Sequence, residues 1–175
     1  MVKGILIKVP ELFTDDEQAE IQQRFKNDDI EVIFFDKNQI QASFDSFIEL
    51  ILSREFVEML VLGLTVDILK ELVFKIVGSI KKKKVVIIDS NNKTRPAKLT
   101  IKSTTDKGTI YLEIPSEISD KGYQESIEKI VDAKKILDNS SAKGINDLFI
   151  VEDKLGNLSI MTLSEYIEYR KKSTN

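Results

Sequence analysis

Between Phe44 and Lys84 apolar side chains fall at helical spacing more densely than anywhere else in the chain. Met59, Leu62, Val66, Leu69, Val73, Ile76 and Ile80 recur in steps of three and four, which predicts a long helix carrying one continuous apolar stripe. A second row through Val57, Leu60, Val61, Leu64, Ile68 and Leu72 narrows the polar strip, so this helix is expected to be buried on more than one side. Phe44 to Leu52 reads as a separate short helix, with Ser53 capping the restart. Gly63 costs a helix about 1 kcal/mol relative to Ala, so its place in the stripe reads either as close approach of another backbone or as a tolerated glycine. Gly78 and Ser79 mark a loosened exit, and Lys81 to Lys84 put positive charge at the negative end of the helix dipole. The longest charge-free run in this stretch is Met59 to Val66, far short of the roughly 20 residues that cross a bilayer. No membrane span is expected.

Elsewhere the pattern switches between periods of two and 3.6. Gly4 to Val9 is a strand stopped by Pro10. Thr14 with Glu17 makes a capping-box pattern for a helix whose apolar edge is Ile21 and Phe25. Glu31 to Asp36 is a strand apolar on both faces, completing a βαβ unit. Val85 to Ile88 has no polar face and is expected to be a third, central strand, with the long helix as its crossover. Lys98 to Lys102 and Thr109 to Ile114 alternate cleanly, as antiparallel strands with one wet face, joined through Asp106, Lys107 and Gly108. A helix over Tyr123 to Leu137 follows, then a polar boundary at 139–144, a hairpin (Asp147 to Val151 and Leu158 to Met161), and a terminal helix opened by Thr162 and Glu165. The expected fold is α/β or α+β, a mixed five-stranded sheet in the order βαβ-α-βββ-α with a C-terminal β-hairpin and helix. Residues 1–138 form its main domain and 145–172 a docked appendage.

Composition sharpens the functional side of this picture. The 175 residues include no Cys and no His, which removes thiolate metal sites, cysteine nucleophiles, and the commonest general base and metal ligand. The first residues lack the apolar stretch of a secretory signal, so a cytoplasmic protein is expected. Net charge is −3, but residues 81–107 hold nine Lys or Arg against two Asp, a local +7 that leaves −10 elsewhere. Such asymmetry hints at an acidic partner.

Specific chemistry is weakly signalled. The turn after the first strand, Pro10 to Phe13, has no glycine and carries Glu11, against a phosphate loop. Asp15 to Glu17 and Asp28 with Asp29 are acidic clusters at a helix start and a turn, where acids have structural uses. Asp89 and Lys102 suggest a nuclease-like pair, yet Thr100 stands where a second acid is needed. The polyanion-binding candidates are Lys81, Lys82, Lys83, Lys84, Lys93, Arg95, Lys98, Lys102 and Tyr111, the last three sharing a face that offers charge beside one aromatic. Gly63 and Phe74 are candidate partner contacts on the long helix, with core beneath the C-terminal hairpin the favoured reading of Phe74.

No catalytic, cofactor-binding or metal-binding residue is assigned, and no cofactor is expected. The sequence points to a non-enzymatic interaction or regulatory domain that meets a protein partner or a second copy of itself. Nucleic-acid or polyanion binding through 81–107 is the alternative, and a metal-dependent nuclease or phosphodiesterase the remote one.

Overall fold

The computed structural model describes residues 3–8, 12–35, 48–88, 91–115, 117–140 and 146–173. Gly4–Lys8 (β1), Asp15–Lys26 (α1) and Glu31–Phe34 (β2) form the expected βαβ unit, with β1 and β2 parallel. Thr14 accepts from the amide of Glu17 at 3.3 Å while Glu17 accepts from the amide of Thr14 at 2.8 Å, so the capping box closes as its spacing requires. Ile48–Leu52 (β3) then pairs antiparallel to β1, and Arg54–Val61 (α2) and Val66–Lys82 (α3) follow. Next come a small hairpin, Val86–Ile88 (β4) and Thr94–Pro96 (β5), then Leu99–Thr104 (β6), Thr109–Ile114 (β7), Asp120–Asn139 (α4), Asp147–Glu152 (β8), Leu158–Thr162 (β9) and Leu163–Ser173 (α5).

The main sheet is mixed α/β in class and has seven strands in the order β2-β1-β3-β6-β7-β8-β9, two more than expected. Three strands, β3, β8 and β9, join the expected sheet and one, Val85 to Ile88, stands outside it. β3 occupies sequence expected to be helical, because an apolar run this short is compatible with either buried element until a neighbour claims its backbone. The β8–β9 hairpin joins the sheet through parallel pairing of β8 to β7. Residues 44–47 lie outside the described residues.

Ile5, Ile7, Val32, Ile48, Leu50, Leu52, Leu99, Ile101, Ile110, Leu112, Leu148 and Ile150 point to one face and are buried there. α1 to α4 cover that face. Arg24 joins Glu71 at 2.9 Å between α1 and α3, Phe74 packs edge-on against Tyr123 between α3 and α4, and Lys134 of α4 reaches Glu58 of α2 at 3.2 Å. With every crossover on this face, β7–α4–β8 takes the opposite hand to β1–α1–β2 and β3–α2–α3–β6, a departure from the usual uniform right-handedness. On the other face α5 lies over the β7–β9 end. Tyr166 stacks on Phe149 at 4.3 Å, Phe149 on Tyr111 at 4.8 Å, and Tyr169 donates to the carbonyl of Glu152 at 3.0 Å.

The long helix is two helices rather than one. It breaks at Gly63, which adopts φ +79° in the left-handed region, while Leu64 donates to the carbonyl of Met59 at 2.9 Å to end α2 in a Schellman motif. A Cβ on Gly63 would meet nothing within 4 Å, so this glycine serves the turn and no backbone approaches it. Its exit is as the charge pattern implies, since α3 runs past Gly78 to Lys82 and carries Lys81 and Lys82 in its last turn.

Candidate functional site

Ile76 and Ile80 anchor the last turns of α3 in the core, and Lys81 and Lys82 complement its dipole. The helix ends in a second Schellman motif: Val85 donates to the carbonyl of Ile80 at 3.1 Å and Lys84 to that of Lys81 at 3.2 Å. The residue held left-handed here is Lys84, at φ +50°, where glycine is the usual occupant because a side chain costs about 1 kcal/mol or more.

Val85 leads into β4. The run Val85 to Ile88 was expected to be a central strand, but β4 pairs only with β5 in a separate two-stranded sheet, leaving Val86 and Ile88 exposed. Pro96 closes that hairpin, and Ala97 donates to the carbonyl of Val85 at 3.1 Å before β6 begins. The hairpin therefore stands beside the sheet, and the space between it, the end of α3 and the ends of β6 and β7 is a cleft of about 310 Å³. Its walls are carbon: Val77 and Ile80 from α3, Val85, Val86, Pro96 and Ala97 from the hairpin, and Leu99, Ile114 and Pro115 from the sheet. Lys81, Lys84, Lys98 and Glu117 complete the lining. Lys81 bonds Glu117 at 2.9 Å, and that bond and the lysine's charge hold the Glu117 carboxyl below the usual carboxylate range. Lys84 and Lys98 are exposed and make no ion pair with the described residues.

The basic candidates thus separate. Lys83 turns away from the cleft, donating to the carbonyl of Leu12 and lying 3.6 Å from Glu17, where it ties α3 to the start of α1. Lys82 is exposed on the last turn of α3, Lys93 is exposed between β4 and β5, and Arg95 belongs to β5. Lys102 lies on the outer face of the main sheet, directly opposite Tyr111, with Nζ 5.5 Å from its ring centre. That lysine and tyrosine share the outer face is as the alternation predicts. Phe149 flanks the Tyr111 ring from β8 and Lys102 from β6, so its stacking capacity is used within the chain.

Phe74 packs on the edge of Tyr123 with Lys70 5.7 Å from its ring, as part of the helix layer. Asp89 lies outside the described residues. Thr100 faces Glu49 on one side and Glu113 on the other, but those acids lie near Lys8 at 3.5 Å and Arg170 at 3.8 Å. Among the described residues no three acidic side chains converge in a metal-binding cluster.

The cleft itself, Glu117 and the apolar lining from the hairpin are not legible in the residue pattern. Pro96 was the available signal. A proline just before a strand-like segment argues for an edge or an excursion outside the sheet.

Fold and site together define a mixed α/β domain with an apolar, lysine-rimmed cleft at one end of its sheet. No helix among the described residues is long and apolar enough to cross a membrane. No protein-family model, no curated protein and no solved structure matches the chain.

Proposed function

We propose that this chain is a non-enzymatic, cytoplasmic interaction domain, and that its working surface is the basic pole formed by the end of α3, the β4–β5 hairpin and the start of β6. The cleft carries this reading. It joins apolar walls to two lysines without ion-pair partners among the described residues, beside exposed Val86 and Ile88, and so suits a partner with both acidic and apolar parts. The test compares the wild-type protein with the Lys84→Glu, Lys98→Glu double variant as baits in a cell extract. A protein retained by the first and lost by the second supports the reading, and identical retained sets overturn it.

Self-association goes with this reading through Val86 and Ile88, which are 51% and 63% exposed. The apolar rows of α2 and α3 are a weaker source, since the sheet and α4 cover most of them. A solution mass that rises with concentration, and falls back in Val86→Lys with Ile88→Lys, is the expected result. Polyanion binding is the second reading, motivated by the exposed Lys82, Lys84 and Lys98 of the pole. It predicts salt-steep binding of single-stranded RNA or duplex DNA.

A further inference from the structure

The cleft at the basic pole has chemistry more particular than an acidic partner requires. Its interior presents Ile80, Val85, Ala97, Leu99 and Ile114 from three sides. Two backbone amides that border it are already committed, Val85 to Ile80 at 3.1 Å and Ala97 to Val85 at 3.1 Å, and Pro96 has no N–H to give. A peptide backbone entering here would lose water without recovering those donors, whereas an alkyl chain loses nothing by dehydration. The volume of about 310 Å³ sits at the small end of ligand clefts.

The mouth supplies the opposite character. Glu117 takes up the charge of Lys81 at 2.9 Å, leaving Lys84 and Lys98 for an anion. Lys84 holds its place in a left-handed conformation at φ +50°, the position where glycine would relieve strain. Strain at a functional position is kept when the side chain is needed.

We propose that this cleft binds a medium-chain alkyl carboxylate, with the chain between the end of α3 and the β4–β5 hairpin and the carboxylate between Lys84 and Lys98. The proposal rests on the reading of the basic pole as the working surface and names its ligand. Competition between ligand and protein partner for the pole follows from it.

The probe is dodecanoate, titrated below its micelle concentration into the full chain and followed by calorimetry and by amide chemical shifts. Saturable binding is expected, with shifts centred on Val85, Ala97 and Leu99. Dodecyltrimethylammonium and acetate, which each keep half of the chemistry, should bind at least tenfold more weakly. Lys84→Gly is the decisive variant because it keeps the turn and relieves its strain. It should be more stable than the wild type and bind dodecanoate at least fivefold more weakly, with Lys84→Arg restoring most of the affinity. No binding by the wild type, equal binding of the ammonium amphiphile, or undiminished affinity in Lys84→Gly would each overturn the proposal. The bait comparison is read separately, so loss of the carboxylate ligand leaves the interaction-domain reading standing unless that comparison also fails.

Discussion

The amide of Val85 donates to the carbonyl of Ile80 across 3.1 Å, closing the last turn of α3 around a lysine in the left-handed region. The same six-to-one bond ends α2, from Leu64 to Met59 at 2.9 Å, but there the left-handed residue is Gly63. Two turns with the same bond pattern therefore hold a glycine in one and a lysine in the other at the left-handed position. Replacing Lys84 by glycine should raise stability by about 1 kcal/mol, since relief of the left-handed strain exceeds the extra entropy glycine brings to the unfolded chain. Lys84→Ala keeps a Cβ and should give little of that gain. Urea midpoints at constant slope measure both.

Gly108 and Gly78 make opposite predictions for the same substitution. A Cβ on Gly108 would lie 1.6 Å from the carbonyl oxygen of Asn146, at the point where Thr109 donates to that oxygen at 2.8 Å to begin the β7–β8 pairing. Gly108→Ala must push the two strands apart, costing on the order of 3 kcal/mol. On α3 a Cβ at Gly78 would meet nothing within 4 Å, so Gly78→Ala should stabilise by about 0.8–1 kcal/mol through helix propensity. Thermal melts of the two variants should move in opposite directions.

Ser103 is fully buried on the core face of β6, between Leu52 and Ile110, and its hydroxyl has no partner among the described residues. Burying an unpaired hydroxyl costs about 1–3 kcal/mol. Ser103→Ala should therefore be neutral or stabilising by up to about 1 kcal/mol, and a loss in the urea midpoint would show that a water or a neighbour satisfies the group.

Tyr123 spans two helices. Its hydroxyl donates to the carbonyl of Val66 at 2.7 Å, and burial, aided by the nearby Asp67 carboxylate, pushes the phenol far above its ordinary pKa. Tyr123→Phe retains the edge contact with Phe74 and loses only the bond, so it should cost about 1 kcal/mol. A much larger loss of stability would mean that the hydroxyl also orders the start of α3.

Acid should weaken the fold through its turns and caps. Asp153 accepts from the amides of Asn157 and Leu155, Glu165 and Glu17 accept from those of Thr162 and Thr14, and Lys81 bonds Glu117. All four carboxyls are held below their ordinary values, so the unfolded chain takes up protons first as pH falls. Their stabilisation is present above the unfolded carboxylate range of roughly 4 and is lost as pH drops through the lower folded values. Urea midpoints should fall between pH 5 and pH 3, and Asp153→Asn, which keeps the acceptor oxygen without the titrating acid, should make the fall shallower.

Local features were the ones legible in the residue pattern. The capping box of Thr14 and Glu17 closes as its spacing implies, and Glu165 reaches back to the amide and hydroxyl of Thr162. The alternation of β6 and β7 separates their inner from their outer side chains, because strand period two admits no other division of those residues, whereas the register that sets Lys102 opposite Tyr111 comes from the pairing. The tertiary structure alone decided that Ile48 to Leu52 is a central strand and that Val86 to Ile88 is a peripheral one. Both are short apolar runs, and their hydrophobicity records burial without recording which backbone pairs with which. The cleft belongs to the same category, since its walls come from residues spread between Val77 and Pro115 that only the pairing of β3 with β6 and β6 with β7 draws around one end of α3.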